Sequence, residues 1–355
     1  MARDLSQLLR DAVHEGASDL HLGAGTAPHM RLDGVLIPVY SEMLDGTSVK
    51  SLIYSILTDE QKARFERDKE LDFAFTIQGV SRFRVNVFFQ RGYVGAAIRA
   101  LPFKIMSFEE CGLPVNVVRD FCNRQKGLVL ITGATGSGKS TSLASMIDYI
   151  NINKGRHIIT VEDPIEYEHS NKKSIIDQRE VGVDTHSFSQ GLKHILREDP
   201  DVILIGEMRD LETIEAALVI AETGHLVFAT LHTSDSAQTI NRIIDVFPSR
   251  QQAQVRTQLS FVLTGVLSQQ LLPRKSGKGR VLAVEVLVAN NAIKSLVRES
   301  KIHQAYSVIQ TGQKDNMRTM NQALFELCKK GDISEEEALA STTEVQDLER
   351  MLRGK

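Results

Sequence analysis

Eight consecutive residues, Gly133-Ala134-Thr135-Gly136-Ser137-Gly138-Lys139-Ser140, carry the most specific chemistry in the chain. Their glycines let successive backbone N–H groups turn inward as an anion nest, with a helix N-terminus behind it. In that pattern Gly133, Thr135, Gly136, Ser137 and Gly138 surround phosphate oxygens, Lys139 reaches the β- and γ-phosphates, and the Ser140 hydroxyl is placed to ligate Mg²⁺. The four fixed positions recur by chance in about one chain of this length in a hundred. Here the loop also follows an apolar strand pattern and opens a helical one. The spacing predicts a nucleoside triphosphate site.

Hydrolysis needs acids near the metal and one group to orient or deprotonate water. Two apolar runs end in acids. His157–Val161 leads into Glu162-Asp163-Pro164-Ile165-Glu166, and Val202–Ile205 leads into Gly206-Glu207-Met208-Arg209-Asp210. In a parallel sheet such strand ends face the ligand crevice. The second strand of a phosphate site usually ends in an Asp, whereas here Glu207 stands one residue late. Which of Glu162 and Glu207 serves the metal and which serves the water is left open by the spacing. Asp210 reads as a helix N-cap, and Asp163 as either a turn residue before Pro164 or a member of the site.

Two histidines bracket a further run, Gly224-His225 through Thr230-Leu231-His232. In an extended strand their rings lie about 23 Å apart on opposite faces, which excludes a shared metal ion. His232 is at the carboxyl end, within reach of a γ-phosphate; His225 reads as a cap or a subunit contact. Arg82 and Arg84 share one strand face, with Arg99 on a neighbouring run. The sharper reading of these three is a cation supplied across a subunit interface to a phosphate, with Arg197 and Arg209 as alternatives.

These residues need a scaffold. The chain has 355 residues, 42% apolar and 25% charged, which suits two domains and excludes disorder. Lys plus Arg number 42 against 45 acids, a net charge of −3, so nothing drives the whole chain toward nucleic acid. Cys111, Cys122 and Cys328 form no Cys-x-x-Cys pair, so neither a disulfide framework nor a structural zinc is expected. No secretory leader and no membrane-spanning run is read. The expectation is a cytoplasmic protein without direct membrane insertion.

Residues 1–105 read as a small α+β domain. It has a helix over Leu5–His14, a hairpin of His29–Leu32 and Val35–Val39 about Asp33-Gly34, a helix over Ser48–Leu57, and alternating runs at Phe83–Val87 and Gly95–Ile98. From 106 onward, short apolar runs at Leu128–Thr132, His157–Val161, Val202–Ile205 and Leu226–Thr230 alternate with helices such as Ser140–Tyr149 and Asp210–Ala221. That predicts an α/β domain on a parallel sheet, mostly helical after about residue 249.

Together these segments resemble one family. Glu162–Glu166 is similar to its aspartate box, Leu196-Arg197-Glu198-Asp199-Pro200-Asp201 through Asp210 to its Walker B region, and Gly224-His225 through His232 to its histidine box. The family is the secretion ATPase superfamily of type II secretion and type IV pili. Gly16–Leu22 and Ala292–Glu299 resemble its pilus-retraction branch, with Lys294-Ser295 and Val297 departing from that branch's commonest form. The superfamily's assembly motors usually add a long N-terminal region and a four-cysteine zinc site, and neither is expected here.

The resemblance implies a RecA-like parallel-sheet P-loop ATPase domain preceded by a PAS-like domain, working as a homo-hexamer with ATP and Mg²⁺. Lys139, Ser140 and Thr141 would bind phosphates and metal, Glu207 would serve the metal, Glu162 the attacking water and His232 the γ-phosphate. Arg82, Arg84 and Arg99 would close the site from a neighbouring small domain. The partner would be a platform protein at the cytoplasmic face of the bacterial inner membrane, and an accessory retraction ATPase is admitted beside it. Two other readings are a DNA translocase, which lacks its basic-aromatic tract here, and a nucleotide-sensing adaptor, which isolated ATP turnover would exclude.

Overall fold

The computed structural model describes residues 4–32, 35–101 and 104–354. It divides into two compact units, Met1–Lys104 and Ile105–Lys355.

In the first unit, Asp4, Asp45 and Thr58 each accept the backbone N–H three residues on and so start the helices Leu5–His14, Gly46–Tyr54 and Asp59–Asp68. Six strands follow the alternating pattern: β1 (Asp19–Leu22), β2 (His29–Leu32), β3 (Val35–Pro38), β4 (Glu70–Ile77), β5 (Ser81–Gln90) and β6 (Tyr93–Leu101). They form one sheet in the order β3-β2-β1-β6-β5-β4, antiparallel throughout. Arg91 and Gly92, both at positive φ, make the two-residue turn that sets Gln90 opposite Tyr93. Strands β2 and β3 pair from Leu32 opposite Val35, while Asp33-Gly34 itself lies outside the described residues. Leu20, Val85, Val87 and Ile98 face the helices and pack on Leu5, Leu8, Ile53 and Phe65. The intervening side chains, Asp19, Arg84 and Arg99 among them, occupy the other face.

The second unit holds seven strands: β7 (Gly127–Thr132), β8 (His157–Glu162), β9 (Ile175–Glu180), β10 (Val202–Ile205), β11 (Leu226–Leu231), β12 (Leu263–Pro273) and β13 (Arg280–Val288). Their order is β13-β12-β7-β11-β10-β8-β9, and all pairs are parallel except β12–β13. Both faces are covered. Leu128 and Leu130 point into one core and Val129 and Ile131 into the other, which is why these strands read as unbroken apolar runs. Truncating Leu128, Leu130 or Ile131 to Ala costs about 2–5 kcal/mol.

One segment departs from its sequence pattern. Residues 263–288 read as part of a mostly helical C-terminal region, yet they form β12 and β13. Helices resume on either side, at Ser249–Val262 and from Asn291 onward. The reason is burial on both sides of the chain: β12 lies between β7 and β13, so its polar residues Ser268 and Gln269 are interior and not a solvent face. Periodicity cannot separate such a strand from a buried helix.

Candidate active site

Because β7, β8, β10 and β11 run parallel, their carboxyl ends share one edge of the sheet. At the end of β7 the chain turns through Gly133–Gly138 into the helix Lys139–Asn153. Gly133 (φ +140°) admits no side chain: a Cβ would lie 2.4 Å from the Gln269 carbonyl oxygen and 2.6 Å from Ser137 Oγ. Gly138 caps the helix at φ +90°, a left-handed position suited to glycine. Lys139 Nζ donates to the carbonyls of Gly133 (2.7 Å) and Ala134 (3.0 Å). Burial lowers its pKa, and the charges of Glu207 and Glu166 oppose that shift. Ser140 stands in the helix's first turn, and Thr141 Oγ1 lies 2.9 Å from the Tyr167 hydroxyl. Thr135 and Gly136 are exposed, and Ser137 is buried with its hydroxyl unpartnered.

Glu162 closes β8. Its Oε1 accepts the Thr160 hydroxyl at 2.6 Å and the Gln178 amide at 3.2 Å. Asp163, exposed, precedes the cis peptide of Pro164. Beyond β10, Glu207 Oε1 accepts Arg209 Nε at 2.6 Å and lies 3.1 Å from His232 Nε2. Burial alone would raise the pKa of Glu207. The hydrogen bond and charge of Arg209, together with the neighbouring His232 imidazole, outweigh it, so the carboxyl is held below its ordinary value.

The structure therefore brings Lys139, Glu207 and His232 into one cluster, with Glu162 on the strand beside β10. Within the second unit it separates others from them. His225 Nδ1 lies 3.1 Å from the Ile220 carbonyl and caps the helix Leu211–Glu222, and Asp210 caps that helix's other end through the Thr213 N–H. Arg197 is exposed in the segment before β10. Arg82, Arg84 and Arg99 belong to the first unit. There Arg84 stands opposite Arg99, and Arg99 Nε donates to Asp19 Oδ1 at 2.8 Å.

Sequence reasoning missed the support beneath the loop. Gln269 Nε2 donates to Ser142 Oγ at 2.8 Å, and the Thr132 hydroxyl donates to Ser268 Oγ at 3.0 Å. The only signal was the polar interruption Ser268-Gln269-Gln270 in an apolar run. Among the described residues no three His, Cys, Asp or Glu side chains converge as a metal cage. The oxygen donors Ser140 and Glu207 suit a hard cation that keeps waters and shares phosphate oxygens, as Mg²⁺ does.

Comparison with known proteins adds three findings. Residues 1–340 match the family described as Type II/IV secretion system protein. The chain is 50% identical over 335 residues to the type IV pilus retraction ATPase PilT of Pseudomonas aeruginosa, covering 94% of this chain and 97% of that one. It is 45% identical to a twitching motility protein of Neisseria gonorrhoeae, over 95% of this chain and 90% of that one. Its fold superposes on a crystal structure of the pilus retraction motor PilT with bound ADP, at TM-score 0.92 and 50% identity, covering 98% and 99% of the two chains.

Proposed function

The chain belongs to the family of type II/IV secretion system proteins, and we propose that it is the ATP-hydrolysing motor that powers type IV pilus retraction and twitching motility. It is an ATPase. The observation that carries the reading is the gathering of phosphate loop, Glu207 and His232 at one sheet edge, in a chain half identical to a retraction ATPase over nearly its whole length.

The backbone amides of Gly133, Thr135, Gly136, Ser137 and Gly138 bind the phosphates, with Lys139 neutralising their charge and Thr141 beside them. Ser140 and Glu207 would hold Mg²⁺, partly through water; the cation would neutralise charge on the phosphates. Glu207, kept ionised by Arg209 and His232, suits that place. Glu162, hydrogen-bonded by a hydroxyl and an amide, orients and deprotonates the attacking water, and His232 senses the γ-phosphate through its contact with Glu207.

The working form is a homo-hexamer, in which Arg82, Arg84 and Arg99 of a neighbouring small domain complete each site. ATP draws one large domain against the next small one, hydrolysis releases it, and the ring changes shape about its axis. The load is a platform protein of the bacterial inner membrane, with an accessory retraction ATPase as a further partner. Among the described residues no helix is long and apolar enough to cross a membrane. Placement at the cytoplasmic face of the membrane would run through the platform.

The test is to count surface pili and score surface motility in cells whose sole copy carries Lys139→Ala. Abundant pili without motility are expected. Bald cells would make the chain an assembly motor instead. Absent ATP turnover in the isolated wild-type protein would make it a nucleotide-binding regulator.

A further inference from the structure

The polar support beneath the phosphate loop continues across the sheet to an acid that the site description leaves unused. Thr132, the last residue of β7, donates to Ser268 on β12, and Ser268 is paired with Glu285 on β13. Glu285 is 4% exposed, a carboxyl deep in the unit. On its far side Glu285 Oε1 accepts the backbone N–H of Ser236 at 2.8 Å. Burial raises the Glu285 pKa above its ordinary value, and hydrogen bonds from the Ser236 and Met320 backbone amides oppose that shift. Ser236 and Met320 are the first residues of two helices, Ser236–Asp245 and Met320–Lys330. A buried carboxyl group between two helix N-termini is held by their orphan donors.

The first of those helices begins four residues after His232, and the connecting loop is strapped to it. Thr233 Oγ1 lies 2.7 Å from Thr239 Oγ1, Asp235 Oδ1 accepts the Gln238 N–H at 2.8 Å, and the Ser234 hydroxyl donates to Gln238 Oε1 at 3.0 Å. Loop and helix end move as one piece, so whatever fixes the N–H of Ser236 fixes where His232 stands relative to Glu207.

We propose that Glu285 is a positioning residue for ATP hydrolysis, anchoring the start of the helix Ser236–Asp245 and thereby the reach of His232 to Glu207. The proposal rests on the reading above that His232 acts in the hydrolytic site. Gln at 285 fits the space but turns one acceptor oxygen into an N–H₂ donor, which cannot accept where the backbone amides of Ser236 and Met320 both donate.

The experiment measures kcat and KM for ATP in the full chain for wild type, Glu285→Gln, His232→Ala and the double variant. Glu285→Gln should lower kcat about tenfold, the worth of one buried backbone donor left without its acceptor, with KM changed less than about twofold. In the His232→Ala background it should change nothing further, because the residue it positions is gone. Ser236→Pro removes the donor N–H at a first helical position, where proline is tolerated, and should reproduce the loss. Wild-type kcat in His232→Ala would refute the site reading itself. A reduced kcat in His232→Ala that Glu285→Gln lowers by its full factor again would overturn the role of Glu285 alone. Should Glu285→Gln fail to fold, wild-type kcat in Ser236→Pro overturns it equally.

Discussion

Replacing Glu162 by Gln separates charge from shape. Glu162 Oε1 accepts the Thr160 hydroxyl at 2.6 Å and the Gln178 amide at 3.2 Å, and the carbonyl oxygen of a glutamine accepts both as well. The fold should therefore hold, with the melting temperature within about 2 °C of wild type. What disappears, on the proposed assignment, is the group that takes a proton from water. Loss of a positioned general base costs about 10²–10⁴ in rate, or roughly 3–5 kcal/mol at the barrier. Phosphate release at saturating ATP should fall at least about a hundredfold, while binding of a fluorescent ATP analogue is unchanged. Glu207→Gln supplies the contrast. Its Oε1 takes Arg209 and His232, which hold the carboxyl ionised and make it a poor base but a good metal ligand. That variant should need more Mg²⁺ for half-maximal turnover, and Glu162→Gln should not. Turnover in Glu162→Gln within about threefold of wild type, or the same Mg²⁺ dependence in both variants, would refute the division of labour.

Two further outcomes follow from geometry. Gly133→Ala puts a methyl group 2.4 Å from the backbone oxygen of Gln269 at a φ of +140°, a conflict that β12 cannot relieve. The melting temperature should drop by about 5–10 °C and its rise on adding ADP should vanish; a retained ADP shift would show that the loop tolerates a side chain. His157 joins β8 to β9, with Nε2 2.8 Å from Asp177 Oδ2 and Nδ1 3.1 Å from the Asp199 carbonyl. Burial lowers its pKa, but Asp177 and the Asp199 carbonyl outweigh that and the net shift is upward. A folded pKa above the unfolded one stabilises most below the unfolded value, and the gain is lost as pH rises through the folded value. Asp177→Asn should therefore depress the melting temperature more at about pH 5.5 than at about pH 8.5. An equal or reversed difference would contradict the sign.

Much of this was legible because the decisive signals are local. The phosphate loop is eight contiguous residues, Asp210 announces a helix by type, and four runs of aliphatic residues mark strands buried on both faces. His225 was also readable as a cap, and it is one. What stayed hidden depends on pairing between distant segments. Gln269 reaches Ser142, 127 positions away in sequence, and Glu285 reaches Ser236 across 49. Neither contact leaves a periodic trace. The strands β12 and β13 were read as helix for a related reason: a chain covered on all sides shows neither a period of two nor of 3.6, and only its neighbours in the sheet decide.

The acid that stands one residue late also has a structural explanation. Gly206 is clamped between two strands: its N–H donates to the Val161 carbonyl at 2.8 Å, and its own carbonyl accepts the Thr230 hydroxyl at 2.5 Å. The Met208 N–H, at 3.0 Å from the Thr230 carbonyl, holds the next turn. A Cβ at position 206 would sit 3.1 Å from the Cα of Glu162 and 3.2 Å from the Val161 oxygen. An aspartate there would crowd the backbone of β8. Glycine at 206 removes the crowding, and the shift of one residue sends the Glu207 carboxylate to His232 and Arg209 instead. The two acids then sit in different company: Glu162 accepts the Thr160 hydroxyl and the Gln178 amide, and Glu207 meets Arg209 and His232. On the proposed assignment, that difference in surroundings would let neighbouring strands of one sheet carry a base and a metal ligand at the same pH.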